Sequence, residues 1–152
     1  MNRRQLIQMT EPEMQAFLAE WHTLQVATID HDGAPHIIAM WYVLQAGELA
    51  FWTYAKSQKI QNLRRDPRLA CLVEEGKQYN ELRGVLIKGR AEMTDDPAVV
   101  LRLGEQLWER YKGPLDAQAR EQVAYEGAKR VAIVVKPTKV VSWDHHKLGG
   151  TY

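Results

Sequence analysis

Residues 24–44 read LQVATIDHDGAPHIIAMWYVL, and the way this stretch folds decides the architecture. Two runs rich in β-branched and aromatic residues flank Asp32-Gly33, a dipeptide suited to the left-handed backbone of a tight turn. The pattern predicts a β-hairpin. Downstream, Ala46-Gly47-Glu48 turns the chain into a third strand, LAFWTY (49–54). LACLVEE (69–75) gives a fourth strand and LRGVLIKGRAEM (82–93) a long fifth. Gly84 and Gly89 inside the fifth predict the bends of a strongly curled sheet or barrel. VAIVV (131–135), apolar throughout, reads as a sixth strand buried on both faces. Lys136-Pro137 is expected to interrupt it before VVSW (140–143) resumes.

Helices fill the remaining stretches. Thr10 and Glu13 form a capping-box pattern, so a first helix runs to about Glu20 and buries Met14, Phe17 and Leu18. Asp95-Asp96-Pro97 opens a helix with Val100, Leu103, Leu107 and Tyr111 on one face, and Gly113-Pro114 ends it. A weaker helical pattern spans 116–128. About six strands with mostly antiparallel links make this a mainly β (α+β) fold, a small antiparallel barrel with flanking helices. There is no βαβα alternation and no G-x-G-x-x-G, which excludes a Rossmann dinucleotide site.

The 152 residues suit a single domain, 1–152, of ordinary globular composition. A net charge of +1 gives no general nucleic-acid footprint. Cys71 is the only cysteine and cannot form an internal disulfide, which suits a reducing cytoplasm. No signal peptide and no apolar run of membrane-spanning length is visible. These features describe a soluble, cytoplasmic protein with neither nucleic acid nor membrane as partner.

Charge is placed unusually in one stretch, YAKSQKIQNLRRDPR (54–68). Ser57 is a natural N-cap, Ile60 and Leu63 share a face, and Asp66-Pro67 stops the helix. Lys56 and Lys59 therefore sit by the positive end of the helix, which disfavours each by roughly 0.3–1 kcal/mol. A bound phosphate would reverse that sign, and the Ser57 hydroxyl could help hold it. The plainer reading is two solvated lysines. Just upstream, MWYV and AFWTY place aromatic rings on adjacent strands, either as core or as the apolar wall of a flat ligand.

No catalytic constellation is apparent. The five histidines form no cluster, and adjacent residues such as Asp144-His145-His146 rarely chelate one ion, so no metal site is assigned. No nucleophile signature is present, and Cys71 lies in a buried run. A cofactor that carries the chemistry itself needs no such machinery.

Several motifs occur together: DGAPHIIAMWY (32–42), FWTY followed by KSQK-x-x-N-L-x-x-D-P-R (51–68), GVLIKGRAE (84–92), and a terminal KP-T-K-V-x-x-W-D-H-H-K-L-G-G-x-Y (136–152). In that order they resemble the split-barrel flavin and deazaflavin reductases related to pyridoxamine 5′-phosphate oxidase. The WDHHKLGG tail is similar to the bacterial branch that uses the deazaflavin coenzyme F-420. The resemblance implies a six-stranded antiparallel split β-barrel that pairs as a homodimer, with a cofactor at each subunit interface. It puts the cofactor phosphate by Lys56, Ser57, Gln58 and Lys59. The ring would lie on the strand holding Ile38, Met40 and Trp41, with Trp52 and Thr53 beside it. Trp143 would come from the other subunit, the tail 143–152 docking at the dimer interface.

Two departures qualify the resemblance. Ile38 stands where the vitamin B6 oxidase carries a phosphate-holding arginine, and DHHKLGGTY lacks that enzyme's substrate-holding Arg and His. The implied function is hydride transfer between reduced coenzyme F-420 and a small conjugated organic acceptor. Arg64, Arg65 and Arg68 would meet the coenzyme's acidic tail or serve as ordinary surface charges. A proton would come from solvent, Lys147 or Tyr152. The alternatives are an FMN-dependent reductase or oxidase of the same fold, and a non-catalytic flavin- or tetrapyrrole-binding protein.

Overall fold

The computed structural model describes residues 2–20 and 22–150. It is built on one antiparallel sheet of β1 (Leu24–Ile29), β2 (Pro35–Met40), β3 (Val43–Gln45), β4 (Glu48–Tyr54), β5 (Arg68–Glu75), β6 (Arg83–Thr94) and β7 (Arg130–Asp144). The strand order is β2-β1-β5-β6-β7-β4-β3. β2 and β3 are thus the two outer edges of the sheet, yet only Trp41 and Tyr42 join them. The three steps from Met40 to Val43 span at most roughly 10–11 Å. The sheet has to curl so that the end of β2 lies beside the start of β3, which gives a half-barrel with β2 and β3 unpaired to each other.

The helices are α1 (Arg3–Leu6), α2 (Glu11–Ala19), α3 (Gln58–Arg65), α4 (Pro97–Tyr111) and α5 (Ala117–Gly127). The capping box of α2 forms as expected: Thr10 Oγ accepts from the Glu13 amide, and Glu13 accepts from the Thr10 amide. Phe17 and Leu18 are buried and Met14 is only partly so. Inside the barrel these side chains meet Val26, Phe51, Ile60, Leu63, Cys71, Val85 and Ile133. A second apolar cluster forms outside it, where Val100, Leu103 and Leu107 of α4 and Val123 of α5 cover Ala50, Trp52 and Ala132. Alternate residues of β4 thus serve two cores, as the two-residue period of a strand requires.

Three expectations are corrected. Seven strands form instead of six, because IIAMWYV breaks at Trp41-Tyr42. The Tyr42 side chain turns inward and donates to the Leu18 carbonyl at 2.6 Å, with the Arg110 guanidinium 4.6 Å from its ring centre. Its amide meets the Tyr111 hydroxyl at 3.3 Å instead of a neighbouring strand. Second, Pro137 does not interrupt the last strand. β6 and β7 shift register between Lys88 and Gly89, and the bulge absorbs the missing proline N–H. Third, of the two glycines only Gly89 falls at an irregularity of the pairing, and the register of β6 with β7 is unbroken at Gly84. The Trp143 ring lies over Gly84, where a Cβ would come within 2.2 Å of it.

The edge strand β2 is exposed or half-exposed along its whole length, with Ile37 at 63% and Ile38 at 42%. On the outer face, cross-strand partners Ala39, Gln25, Leu72, Leu86 and Val141 form one row across five strands. None of the five is buried. No helix among the described residues is long and apolar enough to cross a membrane.

Candidate functional site

The end of β4 delivers the chain to the start of α3. The Ala55 amide donates to the Lys129 carbonyl at 2.9 Å, and the Ser57 amide to the Tyr54 carbonyl at 2.9 Å. Ser57 is the N-cap, its hydroxyl accepting from the Ile60 amide. Thr53 is buried and its hydroxyl lies 3.4 Å from that of Ser57. Gln58 donates to Asn62 at 2.8 Å, and Asn62 reaches Thr28 at 3.0 Å and Asp30 at 2.8 Å. These bonds fix α3 against β1, with the Gln58 and Lys59 amides free of intrahelical acceptors as in any first helical turn.

The two lysines differ. Lys56 is exposed. Lys59 retains only 8% of its exposure and makes no hydrogen bond or ion pair with any described residue. Burial holds its amine below the ordinary lysine value, and the nearby Arg130 guanidinium lowers it further. A partly desolvated ammonium without an ion-pair partner is disfavoured, and a bound anion would relieve that cost.

Met40, Trp41 and Trp52 line one cavity of about 480 Å³, with Thr23, Ala39, Lys112, Glu126 and Arg130. That volume suits a small organic ligand. Trp41 stacks on Tyr111 with ring centres 4.7 Å apart and planes 2° from parallel. The Trp52 ring rests on α4, where a Cβ on Gly104 would come within 2.3 Å of it. Its other neighbour is the Arg130 guanidinium, 4.7 Å from the ring centre. Ile38, in register with Val26, stands on β2 outside this cavity.

Trp143 is not brought to these residues. On β7 it lies eleven residues beyond Ala132, the partner of Trp52, which is roughly 30–36 Å along a strand. The end of β7 and the segment after it dock on the chain's own N-terminal region: the Asp144 amide donates to the Ile7 carbonyl at 2.7 Å. Lys147 binds the Gln8 carbonyl at 2.8 Å and Glu13 at 2.6 Å, which holds the Glu13 carboxyl below its usual range. Tyr152, the other suggested proton source, lies outside the described residues. Arg68 is occupied by Asp66 at 2.7 Å and Arg65 binds the Ile29 carbonyl.

Sequence reasoning missed Arg130, Lys112, Glu126 and Tyr111. All four reach the site through the pairing of β4 with β7 or the packing of α4 and α5, so no local motif announces them. It also missed a cluster of Glu20, His22 and Glu75, whose possible metal-ligand atoms lie within 4.8 Å of one another. Arg83 bridges both carboxylates of that cluster.

A family model described as pyridoxamine 5′-phosphate oxidase matches residues 10–144. No curated protein matches the sequence significantly. Among solved structures, the conserved hypothetical protein Rv2991 from Mycobacterium tuberculosis is 42% identical with a TM-score of 0.93, covering 100% of this chain and 95% of that one. An F-420 reductase is 29% identical with a TM-score of 0.66, covering 83% of this chain and 94% of its own. The heme storage protein HutZ from Vibrio cholerae shares the fold at 21% identity and a TM-score of 0.68, covering 87% and 94%. With most of its length matched by that model, this chain belongs to the pyridoxamine 5′-phosphate oxidase family.

Proposed function

We propose that this protein is a homodimeric oxidoreductase that uses coenzyme F-420 to exchange a hydride with a small conjugated organic acceptor. The observation that carries the reading is Lys59: a lysine 8% exposed over its whole side chain and backbone, with no hydrogen bond or ion pair to a described residue, at the first turn of a helix, near Arg130. Such a group fits a phosphate-bearing cofactor. Lys59, the Ser57 hydroxyl and the first-turn amides would hold the phosphate, with Lys56 and Gln58 at the rim. Met40, Trp41 and Trp52 would wall the ring, and Thr53 would orient Ser57. The 29% likeness to an F-420 reductase supports this cofactor over FMN, as does Ile38 in place of an arginine.

When bound, the reduced deazaflavin supplies hydride from its C5 carbon, so the protein's task is placement and exclusion of water. Trp41 and Trp52 perform both. Trp41 is fixed by Tyr111 and Trp52 by Arg130, so neither ring needs ordering when a ligand enters. Lys147, tied to Glu13 and Gln8, is anchored to the N-terminal segment, and solvent is the simpler proton source.

The exposed edge β2 and the outer row from Ala39 to Val141 are the surface proposed for dimerisation. Through it the partner would present its Trp143 to the cavity. Light scattering should give twice the 17.5 kDa chain mass, and Leu86→Glu should return the monomer.

Titration with oxidised coenzyme, read by tryptophan fluorescence, tests the cofactor. A dissociation constant of about 1 μM or below, near −8 kcal/mol, is expected. FMN is titrated in parallel. Tight FMN binding with none of the deazaflavin refutes the assignment. Tight coenzyme binding with no oxidation of its reduced form by any acceptor in a broad panel leaves a carrier and not an enzyme.

A further inference from the structure

β2 lacks the arginine that would grip a phosphate, and Ile37 and Ile38 are exposed there instead. The chain holds a second cation elsewhere. Arg130 opens β7 in register with Tyr54, the last residue of β4, which stands three residues before the Ser57 cap. The adjoining bond from the Ala55 amide to the Lys129 carbonyl locks the two segments together. Its guanidinium lies 4.7 Å from the Trp52 ring centre and 4.2 Å from that of Tyr54, a double cation–π contact that limits its rotamers. Its Nε is buried without a hydrogen-bond partner.

Compensating charge is scarce. Glu126 is the carboxylate nearest Arg130, at 4.0 Å, and it lies equally 4.0 Å from Lys112. Neither contact is within hydrogen-bond distance. Lys59 draws on no carboxylate: the one neighbouring charge acting on it is Arg130 itself. Arg130 and Lys112 therefore share Glu126 while Lys59 has no carboxylate partner, so positive charge is in excess among these groups. Arg130 acts on Lys59 as a like charge, and an anion placed between them would turn that repulsion into attraction. A purely packing role for Arg130 explains its contacts with Trp52 and Tyr54. It does not explain a lone buried lysine placed beside it.

We propose that Arg130 is the second cation of the phosphate cradle, acting from β7 in place of the arginine that β2 lacks. This rests on the cofactor reading above and goes beyond it, since neither Arg130 nor its strand belongs to the helix-start motif. The guanidinium, held by two rings, donates to phosphate oxygens on one side while Lys59, Ser57 and the α3 amides meet them on the other. Arg130 is a binding residue here, and no reacting atom is assigned to it.

The test compares two ligands on three proteins: wild type, Arg130→Met and Arg130→Lys. The ligands are the intact oxidised coenzyme and the same deazaflavin with its ribityl chain but no phosphate. Arg130→Met keeps an unbranched side chain over the two rings, and melting curves establish that it folds. A lost hydrogen bond to a charged group predicts affinity for the coenzyme falling about ten- to hundredfold in Arg130→Met. The phosphate-free ligand should change by about twofold or less, and Arg130→Lys should fall between, since ammonium cannot offer the planar fork. Equal loss for both ligands overturns the proposal by placing Arg130 against the ring or in packing alone. Unchanged coenzyme affinity overturns it as well. If wild type fails to bind the deazaflavin but binds FMN, the comparison runs with FMN and riboflavin. The cofactor reading then falls, while a phosphate-selective loss still supports Arg130. If wild type binds neither, both fall.

Discussion

Replacing Gly104 by alanine tests how the Trp52 wall is built. A Cβ there would lie 2.3 Å from Trp52 Cζ3, 2.4 Å from Cη2 and 2.8 Å from a Val123 methyl. Ordinary contacts are about 3.5–4.0 Å, so the ring must retreat by roughly 1 Å. It has little room, because Arg130 covers it 4.7 Å from the ring centre and a Cβ at Gly127 would already stand 3.3 Å from the same ring carbon. Overpacking of this kind costs about 1–3 kcal/mol. Alanine regains about 0.8–1 kcal/mol of helix propensity in α4, leaving a net loss of about 0–2 kcal/mol, with the clamped ring favouring the upper end. A loss of 1–2 kcal/mol lowers the melting temperature by roughly 2–8 °C. Thermal melts of Gly104→Ala, Trp52→Leu and the double variant isolate the contact, because removing the ring should cancel most of the alanine's cost. Gly104→Ala should also weaken ligands of the cavity. A variant more stable than wild type, or costs that simply add in the double variant, would refute this packing account.

Other outcomes follow from the same structure. Ala46 holds a positive φ of 49° beside Gly47 in the two-residue β3–β4 turn, so Ala46→Gly should stabilise the protein by about 1 kcal/mol in denaturant melts. Burial pushes the Cys71 thiol up to about 12, so iodoacetamide at pH 8 should label the native protein far more slowly than the unfolded chain. The depressed amine of Lys59 means the unfolded chain binds more protons between its folded and unfolded values; unliganded stability should therefore rise with pH across that window. Bound phosphate should abolish that rise, and Lys59→Met should remove it altogether. Calorimetry in two buffers should detect proton uptake on coenzyme binding in the same window.

The elements whose geometry is local were legible in the sequence. The Asp32-Gly33 turn, the Thr10–Glu13 capping box and the Ser57 cap each depend on residues within a few positions of one another, and each forms. Failures came where tertiary partners overrule local pattern. Tyr42 looks like one more strand residue until Leu18 and Arg110 capture its side chain. Pro137 looks like a stop until the opposing Gly89 lets the Lys136 carbonyl approach, where a Cβ would stand 2.2 Å from it. The four-residue α1, with its Asn2–Gln5 capping box, is too short to declare itself by periodicity. The candidate site divides the same way. Lys59 drew attention through its unfavourable position on a helix, but its burial could not be read from the chain. Arg130 gave no signal, being one more basic residue until β7 pairs with β4.

The central claim is that an anionic cofactor group rests between Lys59, Ser57 and the opening amides of α3. The most direct measurement is a crystal structure of the protein with oxidised coenzyme F-420. The account predicts phosphate oxygens within about 3 Å of Lys59 Nζ and Ser57 Oγ, with the tricyclic ring in the Trp41–Trp52 cavity and a partner chain closing over it. A coenzyme seated elsewhere, with Lys59 still unpaired beside Arg130, would contradict it.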